Sequence, residues 1–266
     1  MTNSQLRDLY DQQLRERVEV ADADQIQRVG PLWLGAYHDR GRGFITYKTI
    51  PRGSDLESLV STALGLLAID PEISEVEWKL REHDDLPGLL EVLSRHHFTL
   101  EKPETVMIGS LESAIAADSG ISPGYRLEPA ATPALIREAE EQAGRVFNHS
   151  ADRIERTVTE LVARQASSPE SFEMWLVRGP EGDVVCSGRI DFAADTDFAS
   201  VWGGSCNKEH RGRGLYRALT AERARSALER GKTYLHSDCT AFSRPILERA
   251  GLTAVAVTTP AIWRRA

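Results

Sequence analysis

Arginine and glycine alternate directly in front of a helical pattern, and this string is the part of the chain best suited to bind an anion. Residues 211–214 have the sequence Arg-Gly-Arg-Gly; they follow a β-rich run, Phe198–Cys206, and precede a helix expected to end near Arg230. Glycine lets the backbone approach a ligand closely because it has no Cβ. The first N–H groups of a helix lack internal partners and attract anions, and arginine can hold phosphate oxygens through paired hydrogen bonds. The string therefore predicts a phosphate-binding loop.

The charge pattern supports a small anionic ligand. The chain has 266 residues and a formal charge of −8, yet residues 208–232 hold eight basic and three acidic side chains. A polymer such as nucleic acid usually needs a broader basic face, so no nucleic-acid partner is expected. The basic residues farther along the helix, Arg223, Arg225 and Arg230, are expected on its solvated face.

Strands and helices alternate around this loop. Hydrophobic periodicity predicts the following elements. They are helices near residues 4–19, 55–69, 86–97, 133–147, 152–166, 214–230 and 242–250, and strands near 26–37, 44–48, 75–80, 105–108, 125–128, 172–178, 184–192, 198–206, 233–238 and 252–258. The order predicts an α+β fold, an α/β sandwich of sheet and helices. The turn-rich segment 116–124 predicts a domain boundary, with one domain at residues 1–120 and the other at 121–266.

The loop and its element order resemble the GCN5-related N-acetyltransferase superfamily, whose cofactor loop has the pattern Arg/Gln-x-x-Gly-x-Gly/Ala between a strand and a helix. The likeness covers about residues 123–266 and continues at residues 243–252, where a helix ends in Gly251-Leu252. Tyr216 departs from the pattern, because the family has a small residue at that position. The resemblance implies a mixed, mostly antiparallel sheet with helices on both faces, together with a smaller N-terminal α/β domain.

The same resemblance implies acetyl-CoA as cosubstrate and transfer of its acetyl group to a primary amine of a small molecule or peptide. The loop would hold the pyrophosphate, the end of the preceding strand would bond to the pantetheine arm, and nearby hydroxyl groups would face the thiol end. The residues implied as cofactor-binding are Gly204, Ser205, Cys206, Arg211, Gly212, Arg213, Gly214, Leu215, Tyr216, Thr240 and Ser243.

The N-terminal half contains a repeat of the strand–helix–strand order found in the C-terminal half. The strand–helix–strand order of residues 75–108 repeats that of residues 233–258. The first half resembles, more loosely, the non-catalytic half of tandem acetyltransferases. It is either a degenerate copy of the second half or an independent packing of the same motif.

The catalytic groups that the family often uses are absent from their usual positions. The strand before the loop carries no carboxylate, and Leu247 stands where the family often has a tyrosine acid. Two substitutes alternate on the following strand and so share a face: His236 and Asp238. Asp238 is the first choice as proton acceptor because it lies at the strand end, and His236 is the second. Transfer by proximity alone, without an essential base, stays open.

Two glycines, Gly203 and Gly204, interrupt the strand before the loop. Glycine weakens a strand interior, so the pair indicates either a close approach by another group or a β-bulge. Glu209 and His210, beside the loop, are expected at the surface.

The remaining features restrict the class of protein. The three cysteines, Cys186, Cys206 and Cys239, have no metal-like spacing, so reduced thiols in a cytoplasmic protein and no metal site are expected. No apolar run approaches the roughly 20 residues that span a bilayer, so no membrane partner is expected. The protein is expected to be a monomer or a homodimer. The alternative function is a catalytically inactive acyl-CoA-binding sensor or regulatory protein.

Overall fold

The structure is a computed structural model that describes residues 1–265, and the chain divides into two compact units. The first unit comprises Met1–Val106, Asp238–Ala241 and the residues from Val255 on; the second comprises Met107–Ser237 and Phe242–Ala254. The division predicted at residues 120 and 121 therefore does not coincide with that of the compact units, because the last strand pairs within the first unit. The assignment of residues 1–120 and 121–266 as domains stays a prediction.

All seven predicted helices occur, although the first ends at Gln13 rather than near residue 19. The helix Leu111–Ala116 is an addition that the sequence does not predict, and the Ser110 side chain caps it. The helices are α1 (Asn3–Gln13), α2 (Leu56–Ala68), α3 (Leu89–Arg95), α4 (Leu111–Ala116), α5 (Pro133–Phe147), α6 (Ala151–Ser167), α7 (Leu215–Glu229) and α8 (Arg244–Arg249). Asp55 illustrates the local cause: its side chain accepts a hydrogen bond from the Ser58 N–H and caps α2. No helix within residues 1–265 is both long enough and apolar enough to cross a membrane.

The predicted strands occur among these helices in the predicted order, and a short strand at residues 99–100 is an addition that the sequence does not predict. The strands are β1 (Gln25–Val29), β2 (Leu32–Tyr37), β3 (Arg42–Tyr47), β4 (Glu75–Arg81), β5 (Thr99–Leu100), β6 (Glu104–Ser110), β7 (Arg126–Pro129), β8 (Phe172–Arg178), β9 (Val184–Phe192), β10 (Phe198–Cys206), β11 (Tyr234–Cys239) and β12 (Thr253–Arg264). The strand predicted at residues 26–37 is wrong as a single element, because Gly30 adopts a left-handed φ of 57° and turns the chain into a hairpin.

In the first unit, β1, β2 and β3 pair antiparallel, β3 and β4 pair parallel, and β4 and β12 pair antiparallel. The sequence predicts a last strand that ends near residue 258, but β12 continues to Arg264 because its second half pairs with β4. Trp78, Ile45 and Val60 belong to one fully buried core between this sheet and its helices.

In the second unit, β7, β8, β9 and β10 pair antiparallel, and β10 pairs parallel with β11. Adjacent residues of β9 face opposite sides of this sheet. Cys186 packs with Leu215 and Leu219 of α7, whereas the Ser187 hydroxyl contacts Gln142 of α5. The predicted α+β fold, with a mostly antiparallel sheet and helices on both faces, is therefore confirmed.

Candidate functional site

The loop at residues 211–214 has a backbone that only glycine adopts readily. Gly212 has a φ of 76° and Gly214 a φ of 78°. Gly214 occupies the N-cap position of α7, and no side chain of the described residues caps the first amides of that helix. The start of α7 therefore presents backbone N–H groups of the kind that bind phosphate.

The two arginines of the loop are exposed but differently held. The Arg211 Nε donates a hydrogen bond of 3.0 Å to the Cys206 carbonyl oxygen, and its guanidinium lies 5.6 Å from the centre of the Phe242 ring. The carbonyl oxygen of Arg213 accepts a hydrogen bond of 2.9 Å from the Ser122 hydroxyl. Both contacts fix the path of the loop and leave positive charge at its surface.

The strand before the loop separates from its parallel neighbour. The pairing of β10 with β11 runs from Phe198 opposite Tyr234 to Ser200 opposite His236. The Ser237 hydroxyl then donates to the Val201 carbonyl oxygen. Within the described residues of the second unit, β10 and β11 do not pair beyond Ser200. The Cys206 carbonyl oxygen, at the end of β10, accepts the hydrogen bond from Arg211. The backbone of Gly203 and Gly204, between these points, is the part of β10 that a ligand carrying amides would reach.

The two glycines of β10 form a β-bulge, which settles the alternatives that the sequence leaves open. The register of β10 against β9 shifts between Trp202 and Ser205, and Gly203 has a φ of 60°. A Cβ built on Gly204 would overlap the hydroxyl group and the ring of Tyr216. The bulge and the close approach therefore occur together, and the approaching group is the side chain of Tyr216.

Several of the predicted cofactor-binding residues use their side chains for packing. The Ser205 hydroxyl donates to Gln142 Oε1 at 2.7 Å, and Leu215 is buried in the core under α7. Cys206 is half-buried and lies opposite Cys186. Any contact of Ser205 or Leu215 with a ligand would thus come from the backbone, and the binding role of these residues stays a prediction.

The expectation that Arg223 lies on a solvated helix face is wrong. Its side chain is fully buried, and its Nη1 donates a hydrogen bond of 2.9 Å to the Arg189 carbonyl oxygen. The guanidinium lies 5.8 Å from the centre of the Tyr216 ring. Burial lowers the pKa of Arg223. The charge of Arg223 therefore belongs to the inside of the site, next to the bulge.

His236 is held by a serine on the neighbouring strand. Its Nδ1 lies 2.9 Å from the Ser200 hydroxyl oxygen, and the Trp202 ring meets the imidazole edge-on at 5.9 Å. Both His236 and Ser200 are buried. The sequence places His236 on a strand but gives no sign of its serine partner, because parallel pairing joins residues that are far apart in the chain.

Asp238 lies in a buried charge cluster of the first unit, made of Glu19, Lys79, Arg81 and Asp238. Lys79 Nζ lies 2.5 Å from Asp238 Oδ2 and 2.9 Å from Glu19 Oε1, and Arg81 Nη2 lies 2.5 Å from Glu19 Oε2. The sequence does not predict this cluster, because Lys79 and Arg81 of β4 are far from Glu19 and Asp238 in the sequence. The role of Asp238 as proton acceptor stays a prediction, but its carboxylate already accepts a hydrogen bond from the Lys79 ammonium.

The cluster shifts the proton affinities of its members. Burial raises the pKa of Glu19, but the charges of Arg81 and Lys79 outweigh it and bring the pKa to about 2. Burial lowers the pKa of Lys79, but the carboxylates of Asp238 and Glu19 raise it by more. The pKa of Lys79 therefore lies above its usual value. Glu19, Lys79 and Arg81 are therefore charged at neutral pH.

The remaining predicted residues lie at the start of the last helix. Ser243 precedes α8, and its carbonyl oxygen accepts from the Ile246 and Leu247 amides. Its neighbour Phe242 contacts Arg211 of the loop. Thr240 is exposed and lies in the short segment that belongs to the first unit. The roles predicted for Ser243 and Thr240 stay untested.

The sequence predicts no metal site, and the first unit contains one group of suitable composition. The ligand atoms of His38, Asp70 and Glu72 lie within 4.8 Å of one another. The imidazole and the Asp70 carboxylate form an ion pair of 3.0 Å when the histidine is protonated.

Comparison with known proteins identifies the fold. No protein-family model and no curated protein matches the sequence. Solved structures match almost the whole chain, among them a GCN5-related N-acetyltransferase from Kribbella flavida, at 18% identity and a TM-score of 0.68 over 99% of this chain and 96% of that one. A tandem GNAT protein from the clavulanic acid biosynthesis pathway matches at 11% identity and a TM-score of 0.65, over 89% and 81% of the two chains.

A third structure, a GCN5-related N-acetyltransferase from Sphaerobacter thermophilus, matches at 16% identity and a TM-score of 0.63, over 88% of this chain and 76% of that one. The chain therefore has the fold of the GCN5-related N-acetyltransferases, as the loop and the element order predict. In the match to the Kribbella flavida structure, the likeness extends over both compact units.

Proposed function

We propose that the chain is an N-acetyltransferase of the GCN5-related superfamily, which moves an acetyl group from acetyl-CoA to a primary amine of a small molecule or peptide. The observation that carries the proposal is the loop at residues 211–214. It joins a bulged strand to the uncapped start of α7, with Gly212 and Gly214 in left-handed conformations. The fold shared with N-acetyltransferases supports it.

The residues of the loop fit the phosphates of coenzyme A. The amides from Gly212 to Tyr216 would hold the pyrophosphate, and Arg211 and Arg213 would add positive charge. A Cβ on Gly212 would meet no heavy atom within 4 Å, so the loop has room on that side. The backbone of the end of β10 would bond to the pantetheine amides. When bound, acetyl-CoA supplies an acetyl group activated as a thioester.

The side chains near the bulge supply the proton transfers. His236 is the proposed proton acceptor for the attacking ammonium, and the Ser200 hydroxyl at 2.9 Å from Nδ1 fixes the ring. The Tyr216 hydroxyl lies against Gly204 at the bulge. We propose that it donates a proton to the thiolate of coenzyme A as this group leaves. Asp238 is less suited as proton acceptor, because its carboxylate accepts a hydrogen bond from Lys79. Proximity of the two substrates supplies much of the rate.

The alternative is an acyl-CoA-binding sensor without turnover. It is favoured by Leu247, which is buried at the position where the family often has its acid, and by the ion pair of Asp238. Incubation of the protein with acetyl-CoA and a panel of primary amines separates the two: release of free thiol supports the enzyme, and binding without release supports the sensor.

The proposal includes a cytoplasmic location, which the three cysteines, present as thiols, support.

Gly214→Asp tests the cofactor site. An aspartate at this N-cap position would bring a negative charge to the amides that would hold the phosphates, so we expect acetyl-CoA affinity measured by calorimetry to fall roughly 100-fold or more. Gly182→Asp is the matched control. Gly182 also has a left-handed φ, of 88°, and open space for a side chain, but it lies in the turn between β8 and β9. Unchanged affinity in Gly214→Asp, or an equal loss in Gly182→Asp, would refute the assignment of the loop.

A further inference from the structure

Two cysteines of the second unit lie directly opposite each other on antiparallel strands. Cys206 of β10 is in register with Cys186 of β9. The Asn207 N–H donates to the Val185 carbonyl oxygen at 2.8 Å, so the next pair along the ladder is hydrogen-bonded. Because hydrogen-bonded and non-hydrogen-bonded pairs alternate, the cysteine pair is of the non-hydrogen-bonded kind.

That register brings the two thiols close together. In a non-hydrogen-bonded pair the Cα atoms lie about 4.5 Å apart and the side chains are closer than in the other kind. A disulfide needs Cα atoms roughly 4.4 to 6.8 Å apart. Both side chains also lie on the sheet face covered by α7, in one apolar cluster with Leu215 and Leu219. The strands can thus accept a covalent bond between these residues without a change of register.

The two thiols have different surroundings. Cys186 is completely buried, whereas Cys206 is half-buried and its Sγ lies 3.7 Å from the Asn207 carbonyl oxygen. Burial raises the pKa of Cys186 well above its usual value. The hydrogen bond from Cys186 and the charge of Arg211 lower the pKa of Cys206, although partial burial opposes them. The accessible sulfur is therefore the better nucleophile, and the buried one lies behind it.

We propose that Cys206 and Cys186 are a redox-active pair that low-molecular-weight disulfides oxidise to an intramolecular disulfide. The Cys206 thiolate attacks one sulfur of the small disulfide, forms a mixed disulfide and releases one thiolate. The Cys186 thiol then loses its proton and attacks the Cys206 sulfur, which displaces the second thiolate. The two cysteines lose two electrons, and the small disulfide is reduced to two thiols.

The site lies next to the loop that the sequence singles out, but the inference does not depend on acetyl-CoA binding. The Cys206 carbonyl oxygen accepts a hydrogen bond from Arg211, so the residue that is oxidised contacts the loop directly. Cys239 takes no part, since the register of β9 with β10 pairs Cys186 with Cys206 and Cys239 is buried on β11.

Oxidised glutathione and peptide mapping test the proposal on the full chain. After incubation, free thiols are alkylated under denaturing conditions and the protein is digested with trypsin without reduction. We expect tryptic peptides 179–189 and 190–208, which carry Cys186 and Cys206, to be recovered joined, and Cys239 to be alkylated. Alkylation of all three cysteines, or a bond that includes Cys239, would overturn the proposal.

Variants separate the roles of the two thiols. Cys186→Ser should stop at the mixed disulfide and carry one glutathionyl group on Cys206, because no second thiol displaces it. Cys206→Ser should show neither product on Cys186. Cys239→Ser, which keeps both thiols of the pair, should form the disulfide as the unchanged protein does. An equal extent of glutathionylation at Cys186 in Cys206→Ser would show that Cys206 is not the attacking thiol. The mapping of the unchanged protein stands even where a variant fails to fold.

Discussion

Lys79 donates a hydrogen bond of 2.5 Å to Asp238, a residue 159 positions farther along the chain. The sequence makes Asp238 the first choice as proton acceptor, but this ion pair gives its carboxylate a structural role. Glu19 lies on the other side of the same ammonium at 2.9 Å, so the lysine joins two buried acids. The removal of one member leaves an uncompensated buried charge, which is the costly way to break such a cluster.

The first prediction concerns Glu19 and stability. Glu19→Gln should lower the free energy of unfolding by about 3 kcal/mol at neutral pH, because it removes a buried negative charge between Lys79 and Arg81. The folded pKa of Glu19, about 2, lies below the ordinary value of 4.5. Its contribution is therefore complete above the unfolded pKa and is lost as the pH falls towards the folded one. The difference between the two proteins should shrink by about half or more near pH 3, measured by urea unfolding.

An exposed ion pair provides the matched control. Glu155 pairs with Arg137 at 2.6 Å, and both side chains are exposed. Glu155→Gln should leave the unfolding midpoint nearly unchanged, because water screens such a pair. A Glu19→Gln protein that is as stable as the unchanged one at neutral pH would show that the buried charge cluster does not stabilise the fold.

The second prediction decides between the two candidate proton acceptors. His236→Gln should lower kcat about 100-fold and leave acetyl-CoA affinity within about twofold, because a missing general base slows proton transfer but not binding. Asp238→Asn should instead lower stability and leave the kcat of the folded protein within a few-fold. Steady-state kinetics and calorimetry on both variants check this. The reverse pattern would make Asp238 the base, as the sequence first suggests.

Features with a local cause were predictable from the sequence. The sequence offers Ser54 or Asp55 as the cap of α2, in front of an apolar helical pattern, and the structure shows that Asp55 accepts the hydrogen bond from the Ser58 N–H. The turn at residues 211–214 follows from glycine alone, and the left-handed φ of Gly212 and Gly214 agrees. Each of these depends on neighbours a few residues away, which periodicity and turn chemistry describe.

Features that depend on register were not predictable. Arg223 belongs to a helix whose other arginines are partly exposed, and its burial depends on a contact with the Arg189 carbonyl oxygen of the distant strand β9. The Lys79–Asp238 pair and the Ser200–His236 pair need the order of strands, which the sequence does not encode locally. A β-branched or aromatic run predicts a strand but not its neighbours.

The third prediction concerns Gly204 and Tyr216. Gly204→Ala should lower the free energy of unfolding by about 1–3 kcal/mol, because the new Cβ would overlap the Tyr216 ring and force one of them to move. Gly203→Ala is the matched control, since a Cβ there would meet no heavy atom within 4 Å. Its cost should be limited to the left-handed φ of 60°, roughly 1–2 kcal/mol.

The steric origin of the Gly204→Ala effect is separable from a general weakness of the strand. Tyr216→Ala alone removes packing from the bulge, but in the double variant it also makes room for the alanine. The two changes together should therefore cost less than the sum of the single changes, by about 0.5–3 kcal/mol. Simple additivity in urea unfolding would mean that the ring moves away without cost, and that Gly204 is needed for the bulge itself.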